Sequence, residues 1–221
     1  MLVLLLLFGV GVGAMSYFQY QARQRRMRAV QALAQQIGFE FSPDDTHGIL
    51  GMPFTLFRKG AGQNVSLVVS GTHISLPLRF FDYDYHTGSG KSRTDYHFTC
   101  GLLTIPAACP PLRVAHENAI TRLGDHLGHH DVKLEYDDFN RHFLVNCKEQ
   151  KFAFALLDGQ MMQWLLDADN FDEIEMLGTW VLFATTRLEP AAWPNIGNWL
   201  DGFHAHIPPV VYTTYPRNMI S

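Results

Sequence analysis

Histidine and aspartate supply most of the side chains in this sequence that could do chemistry. There are 11 histidines, and Asp125, His126, His129, His130 and Asp131 crowd together. His126 and His130 have the i,i+4 spacing that lets two imidazoles share one metal ion on a helix face. With Asp125 and Asp131 beside them they form a weak candidate metal centre, of the kind a metal-assisted hydrolase would need. Gly128 interrupts the pair, and Leu127 stands where a metalloprotease motif has its glutamate. His116, ten residues before His126, would lie about 15 Å away along a helix and could not reach the same ion. The plainer reading, and the favoured one, is a solvated turn that titrates near neutral pH.

A second gathering lies in Arg79–Cys100. Period-two alternation puts Asp82, Asp84 and His86 on one face and Phe81, Tyr83 and Tyr85 on the other. On the returning strand Asp95 and His97 oppose Tyr96 and Phe98. Carboxylates and imidazoles so placed could hold a cation or move protons, but an antiparallel sheet with one wet face shows the same alternation without any chemistry. Gly88-Ser89-Gly90-Lys91-Ser92 resembles the end of a phosphate-binding loop. The first glycine of that motif would fall on Tyr85, and strand, turn and strand replace the required strand, loop and helix, so it reads as a hairpin tip. There is no nucleophile elbow and no dinucleotide fingerprint. No catalytic residue and no cofactor is assigned.

The elements that would carry these groups follow from periodicity. Met27, Val30, Leu33 or Ala34, and Ile37 recur at helical spacing, closed by Gly38. Phe39 and Phe41 alternate as in a strand until Ser42-Pro43-Asp44-Asp45. Strands are expected over Asn64–Ser70, then, after a Gly71-Thr72 turn, His73–Leu76, followed by Arg79–Tyr85 and Arg93–Ile105, an antiparallel meander. Pro77 marks an edge, a bulge or a break. Ile120, Leu123 and Leu127 suggest a helix, Val132–Tyr136 and His142–Cys147 strands, and Phe152–Leu157 and Met161–Leu166 helices about Asp158-Gly159. A hairpin is expected from Glu173–Leu177 and Trp180–Thr185 about Gly178, then a helix over Trp193–Phe203 ended by Ile207-Pro208-Pro209. Tyr212–Ser221 is expected to be loose. Cys100, Cys109 and Cys147, an odd number without a CxxC pair, read as reduced, partly buried thiols. Were the domain in an oxidising compartment, Cys100 and Cys109 would be the pair to bridge.

Before Arg23 there is no charged side chain, and Leu2–Tyr20 is almost unbroken Leu, Val, Phe, Gly and Ala. As a helix it would span close to the ~30 Å hydrocarbon core of a bilayer. Tyr17, Phe18 and Tyr20 then fall at headgroup depth, and Arg23, Arg25, Arg26 and Arg28 follow as candidate lipid contacts. A cleaved signal peptide would need a basic segment ahead of the apolar run, and none precedes Leu2. The positive-inside rule places the bulk of the chain in the cytoplasm. Of 17 basic residues those four arginines take four, so 13 remain against 21 acidic ones, and the chain beyond Arg28 carries a net charge of −8. That charge argues against nucleic acid as a partner.

Asp138-Phe139-Asn140-Arg141-His142-Phe143-Leu144-Val145, trailed by Lys151-Phe152-Ala153, Leu156-Leu157-Asp158 and Met161–Leu166, resembles a bacterial family of membrane-anchored proteins classed as a domain of unknown function. Further pieces carry the likeness: the Ala29–Ile37 helix, Phe80–Tyr85 and Leu102–Pro106. Asp138 stands where the family pattern has a glutamate. The resemblance implies the anchored layout and supplies no catalytic residue. Physically, Phe139 and Phe143 read as core anchors, with Asn140 and Arg141 between them as the motif's polar members.

The expected fold is α+β: an anchor over residues 1–22, a basic juxtamembrane helix over 23–38, a globular domain over 39–211 whose largely antiparallel sheet is covered by helices, and a tail over 212–221. The function this implies is a non-catalytic interaction or accessory module on the cytoplasmic face of the inner membrane. Its partners would be the bilayer through residues 2–20, anionic headgroups, and a protein of unassigned identity. A metal-assisted hydrolase is the alternative.

Overall fold

The computed structural model of the chain describes residues 2–116, 131–168 and 170–217, with side chains from Ser16 onward. The fold is α+β. Helix α1 (Leu2–Ile37) runs unbroken through what the sequence divides into anchor and juxtamembrane helix. No helix-breaking residue separates the two parts, so the backbone ladder continues. Among the described residues no helix is long and apolar enough to cross a membrane. The side chains of the first 15 residues lie outside that description, and with them most of the expected anchor.

Six antiparallel strands form one sheet: β1 (Glu40–Asp44), β2 (Ala61–His73), β3 (Leu76–Thr87), β4 (Thr94–His116), β5 (Phe143–Cys147) and β6 (Glu173–Thr186). The order is β1-β2-β3-β4-β5, and β6 also pairs with β4. The long β4 has β3 beside its first half, β5 beside its second, and β6 along both. Helices follow β4, β5 and β6: α2 (Asp137–His142) after β4, α3 (Gln150–Leu156) and α4 (Gly159–Asp167) after β5, and α5 (Trp193–His206) and α6 (Pro209–Thr214) after β6. Asp158 caps α4 by accepting from the Met161 amide at 2.9 Å, which explains the interruption seen in the sequence.

The two faces of the sheet are buried differently. One lies under the helices, where Val30, Leu33 and Ala34 of α1 and Trp193, Ile196 and Leu200 of α5 join Val69, Leu78, Phe80 and Phe183. The other is covered by the irregular segment between β1 and β2, whose Ile49, Phe54, Leu56 and Phe57 pack on Phe81, Tyr83, Tyr85 and Phe98. Helices on one side of the sheet were expected; a second core beneath a loop was not.

Several boundaries differ from expectation for identifiable reasons. The β2–β3 turn is Ile74-Ser75, both at positive φ (48° and 64°), rather than Gly71-Thr72. Two positive-φ residues give the turn twist a tight hairpin prefers, and a β-branched residue there leaves no sequence signal. Pro77 lies beyond the β3–β4 ladder, which begins at Leu78, so its missing amide deprives no partner. Glu173–Thr186 is one strand, not a hairpin. Gly178, at φ 56°, pairs with Cys109 at an irregularity of the ladder whose extra residues lie on β4. It reverses the alternation: Ile174 and Met176 face the helices before it, Val181 and Phe183 after it. Bulge and turn shift the hydrophobic phase alike, and only pairing distinguishes them.

Val132–Tyr136 is not a strand. A single bridge joins Asp131 to Asn146, and the Asn140 amide replaces the rest of the ladder, accepting from Leu134 N at 3.1 Å and donating to Leu134 O at 2.6 Å. Tyr212–Thr214 complete α6 instead of trailing loose, and Tyr215 bonds Glu149 and Ala108. The expected helix near Ile120–Leu127 lies outside the described residues. All three cysteines are free and buried. Burial pushes the Cys109 thiol up to about 12 and raises those of Cys100 and Cys147.

Phe143 is enclosed by Phe139 and Phe171, with ring centroids 4.9 and 5.3 Å away. Phe143→Ala should therefore lower the unfolding free energy by about 3–5 kcal/mol in urea denaturation. Arg141→Ala, at an exposed neighbouring position, should change it by less than about 0.5 kcal/mol.

Candidate functional site

The polar face of the β3–β4 hairpin is a ladder of direct cross-strand pairs, Asp82 with Thr99, Asp84 with His97 and His86 with Asp95. It lies on the same side as Phe80 and so points toward the helices. It is not uniformly wet, as the sequence suggests, but graded from buried to exposed. Asp82 is 1% exposed, while His97 and Asp95 lie in solvent.

A buried carboxylate needs a cation and hydrogen bonds. Arg26 of α1 supplies both through a fork on Asp82, Nε to Oδ2 at 2.6 Å and Nη2 to Oδ1 at 2.8 Å. The Thr99 hydroxyl donates to Asp82 at 3.3 Å and itself accepts from the Leu188 amide. Arg187 enters from the end of β6, its backbone N–H donating to the His97 carbonyl. Its guanidinium pairs with Asp84 and lies 3.8 Å from Asp82. His97 Nδ1 closes the set 2.5 Å from Asp84 Oδ1. Trp193 at the start of α5 lies under Arg26, with the guanidinium carbon 5.9 Å from its ring centre.

Two clefts flank this network. One, of about 440 Å³, lies on the β4–β6 side and is lined by Tyr96, His97, Asp172, Arg187 and Glu189, among others. The other, of about 450 Å³, opens between α1 and β2–β3 and is lined by Gln19, Arg23, Asn64, Ser66, Asp82 and Asp84, among others. Arg26 and Arg187 wall both. A bulge shapes the second cleft. Leu67, at φ 55°, is the extra residue opposite Asp82–Phe80, so Ser66 and Leu67 both turn toward α1.

Chemically, His97 and Asp84 form a dyad able to relay a proton, but among the described residues no hydroxyl or thiol is hydrogen-bonded to the pair. The two aspartates that could have ligated a metal are engaged by arginines instead. Among the described residues no group of three or more His, Cys, Asp or Glu could hold a metal ion. Asp125, His126 and His130 lie outside the described residues; Asp131 is exposed and takes part in the bridge to Asn146. Of the four arginines expected at lipid, Arg26 is turned inward to Asp82, whereas Arg23, Arg25 and Arg28 remain exposed.

A second buried charge cluster escaped sequence analysis. Glu173 and Glu175 of β6 face the loop-covered core, 2% and 5% exposed. Glu173 receives Lys59 Nζ at 2.9 Å and Arg113 Nη2 at 2.7 Å. Glu175 accepts the Thr55 and Leu56 amides, each at 2.7 Å, and latches the segment that carries Phe54, Leu56 and Phe57. Burial raises the Glu173 carboxyl, but Lys59 and Arg113 outweigh it and hold it near 2. Burial, then the Glu173 charge, push Glu175 up to about 8. A protonated Glu175 can donate to Glu173 while keeping its amide bonds. Glu-Ile-Glu-Met in the sequence shows only alternation, with nothing to say that the polar side is covered.

No family model matches the chain, and no curated protein does. Among solved structures the fold is similar to the crystal structure of the mycobacterial trehalose monomycolate transport factor A, TtfA. The TM-score is 0.60 over 83% of this chain and 97% of that one, at 13% identity. At that identity the likeness is one of fold.

Two outcomes test the site's energetics. Asp82→Ala leaves Arg26 desolvated and unpaired and should cost about 3–5 kcal/mol. Combining it with Arg26→Leu should recover part of the loss, read from a double-mutant cycle in urea. For the glutamates, the folded state holds the Glu175 proton between about 4.5 and 8, where the unfolded chain has released it. This contribution to stability is complete below about 4.5 and is lost as pH rises toward 8. Glu173 acts oppositely, its contribution present above 4.5 and lost as pH falls toward 2. Unfolding midpoints measured from pH 5 to 8 should fall for the native chain and flatten in Glu175→Gln.

Proposed function

We propose that the protein is a non-catalytic accessory module, held at the cytoplasmic face of the inner membrane by the apolar start of α1. One observation carries the reading. The helix that begins as Leu2–Tyr20 ends inside the domain, with Arg26 forked onto buried Asp82 and Val30, Leu33 and Ala34 in the core. A helix fixed at one end transmits a set orientation to the other, as a tether with a working geometry requires.

Supporting features lie along the same helix. Tyr17, Phe18 and Tyr20 are 58–70% exposed, a cost to a helix in water but a gain at a bilayer interface. Arg23, Arg25 and Arg28 follow at the depth where anionic headgroups begin. The resemblance of the sequence to a membrane-anchored bacterial family implies the same layout. The fold likeness to a protein named a transport factor fits an accessory role, and the Arg26 and Arg187 pairs leave the hairpin aspartates committed to structure.

Alkaline carbonate extraction of membranes should leave the full-length chain in the pellet. Deleting residues 2–20 should release it, and a C-terminal reporter active only in the cytoplasm should give signal. Release of the full-length chain by carbonate, or a reporter active only outside, would overturn the proposal.

A further inference from the structure

We infer that the cleft between α1 and the β2–β3 hairpin is a binding site for a phosphate-bearing anionic headgroup, with Arg23 as the group that contacts the phosphate. The inference rests on the membrane-anchored reading and assigns a ligand to a particular place in it.

Position is the first argument. Gln19, Ala22, Arg23 and Arg26 line the cleft and follow one another at i, i+3, i+4 and i+7, so one face of α1 forms its wall. Arg23 lies three residues beyond Tyr20, about 4.5 Å further along the helix. The mouth of the cleft is therefore at the level of the exposed aromatic rings, where lipid phosphates lie.

Charge is the second. Three guanidiniums, of Arg23, Arg26 and Arg187, face two carboxylates, of Asp82 and Asp84. Arg26 and Arg187 are matched to the aspartates, whereas Arg23 has no ion pair among the described residues. The cleft thus carries one surplus positive charge, on the lining arginine nearest the exposed rings. A guanidinium offers a planar fork that suits two phosphate oxygens. The bound aspartates prevent Arg26 and Arg187 from collapsing onto the same anion and keep the inner wall rigid.

Shape and polarity are the third. At about 450 Å³ the cleft is large enough for a headgroup. Asn64 and Ser66 of β2 and Gln19 of α1 put neutral donors and acceptors around the charged residue, suited to glycerol hydroxyls or ester oxygens. The bulge at Leu67 turns Ser66 and Leu67 to the same side, giving the cleft a polar and an apolar wall element next to each other.

The same chemistry could come from a membrane lipid or from a soluble phosphate, and the experiment separates them. Full-length protein purified in a neutral detergent is titrated with short-chain phosphatidylglycerol, short-chain phosphatidylcholine, or inorganic phosphate, following the shift in melting temperature and lipid retention in native mass spectrometry. Phosphatidylglycerol should bind and stabilise, phosphatidylcholine should not, and added salt should weaken binding. Arg23→Gln should lower the affinity about tenfold or more, whereas Arg28→Gln, exposed and off the cleft, should not. Equal stabilisation by inorganic phosphate, lost in Arg23→Gln, supports the site and assigns it to a soluble anion. Phosphatidylglycerol binding undiminished in Arg23→Gln, equal binding of phosphatidylcholine, or no binding by a variant-matched folded protein overturns the inference. Carbonate extraction of Arg23→Gln should still leave it in the membrane. Loss of headgroup binding with the anchor intact is thereby distinguished from loss of the anchor itself.

Discussion

A carboxylate held inside a sheet must be neutralised or matched, and the Arg26–Asp82 fork matches it in the way that decides how the rest of the chain is arranged. The apolar stripe of α1, with Val30, Leu33 and Ala34 buried and Met27 and Ile37 packed against them, would tolerate sliding by a turn, since one aliphatic contact resembles the next. A bidentate ion pair has no such tolerance. It fixes both rotation and translation of α1 on the sheet, and it sets Trp193 beneath the guanidinium and so the start of α5. Buried ion pairs are poor sources of net stability, but a pair that selects one register is a well-attested use.

The second buried carboxyl cluster solves the same problem on the opposite face by other means. Glu173 is matched by Lys59 and Arg113, and adjacent Glu175, denied a cation of its own, is kept protonated. Two ionised carboxylates so close would repel strongly, so one proton retained between them is the lower-energy arrangement. That arrangement leaves Glu175 able to hold the Thr55 and Leu56 amides. It is how a segment with little regular structure stays over Phe81, Tyr83 and Phe98 and closes the second core.

What the sequence disclosed depended on how far apart the interacting residues lie. The alternation of Asp82, Asp84 and His86 against Phe81, Tyr83 and Tyr85 was legible because period two is local, and the structure keeps it. The partners of those aspartates were not legible, being 56 residues upstream at Arg26 and 103 downstream at Arg187. For the same reason Glu173 and Glu175 alternate visibly but reveal nothing of the loop that covers them. Local signals also failed where two structures share one signature. The hydrophobic phase shifts at Gly178 whether the chain turns there or the ladder is irregular, and Ile74-Ser75 turns the chain with residues that rarely do. The helix of Trp193–His206, with its proline at the first turn and its aromatic stripe, was the opposite case: strong period, a local start signal in the proline, correct extent to within a few residues.

Charge distribution joins the buried pair to the membrane reading. Beyond Arg28 the chain carries a net −8, so an anionic bilayer surface repels the globular domain while attracting Arg23, Arg25 and Arg28. Over a Debye length of about 8 Å at physiological salt, these opposed forces act on different levels of one rigid helix. In the anchored layout proposed above, the arginines would be drawn to the headgroup layer and the domain pushed off it, with α1 in line between them. A flexible linker would let the domain drift and tilt under such forces. A continuous helix pinned at Arg26 would convert them into a fixed stand-off, with the cleft at the level of the bilayer surface.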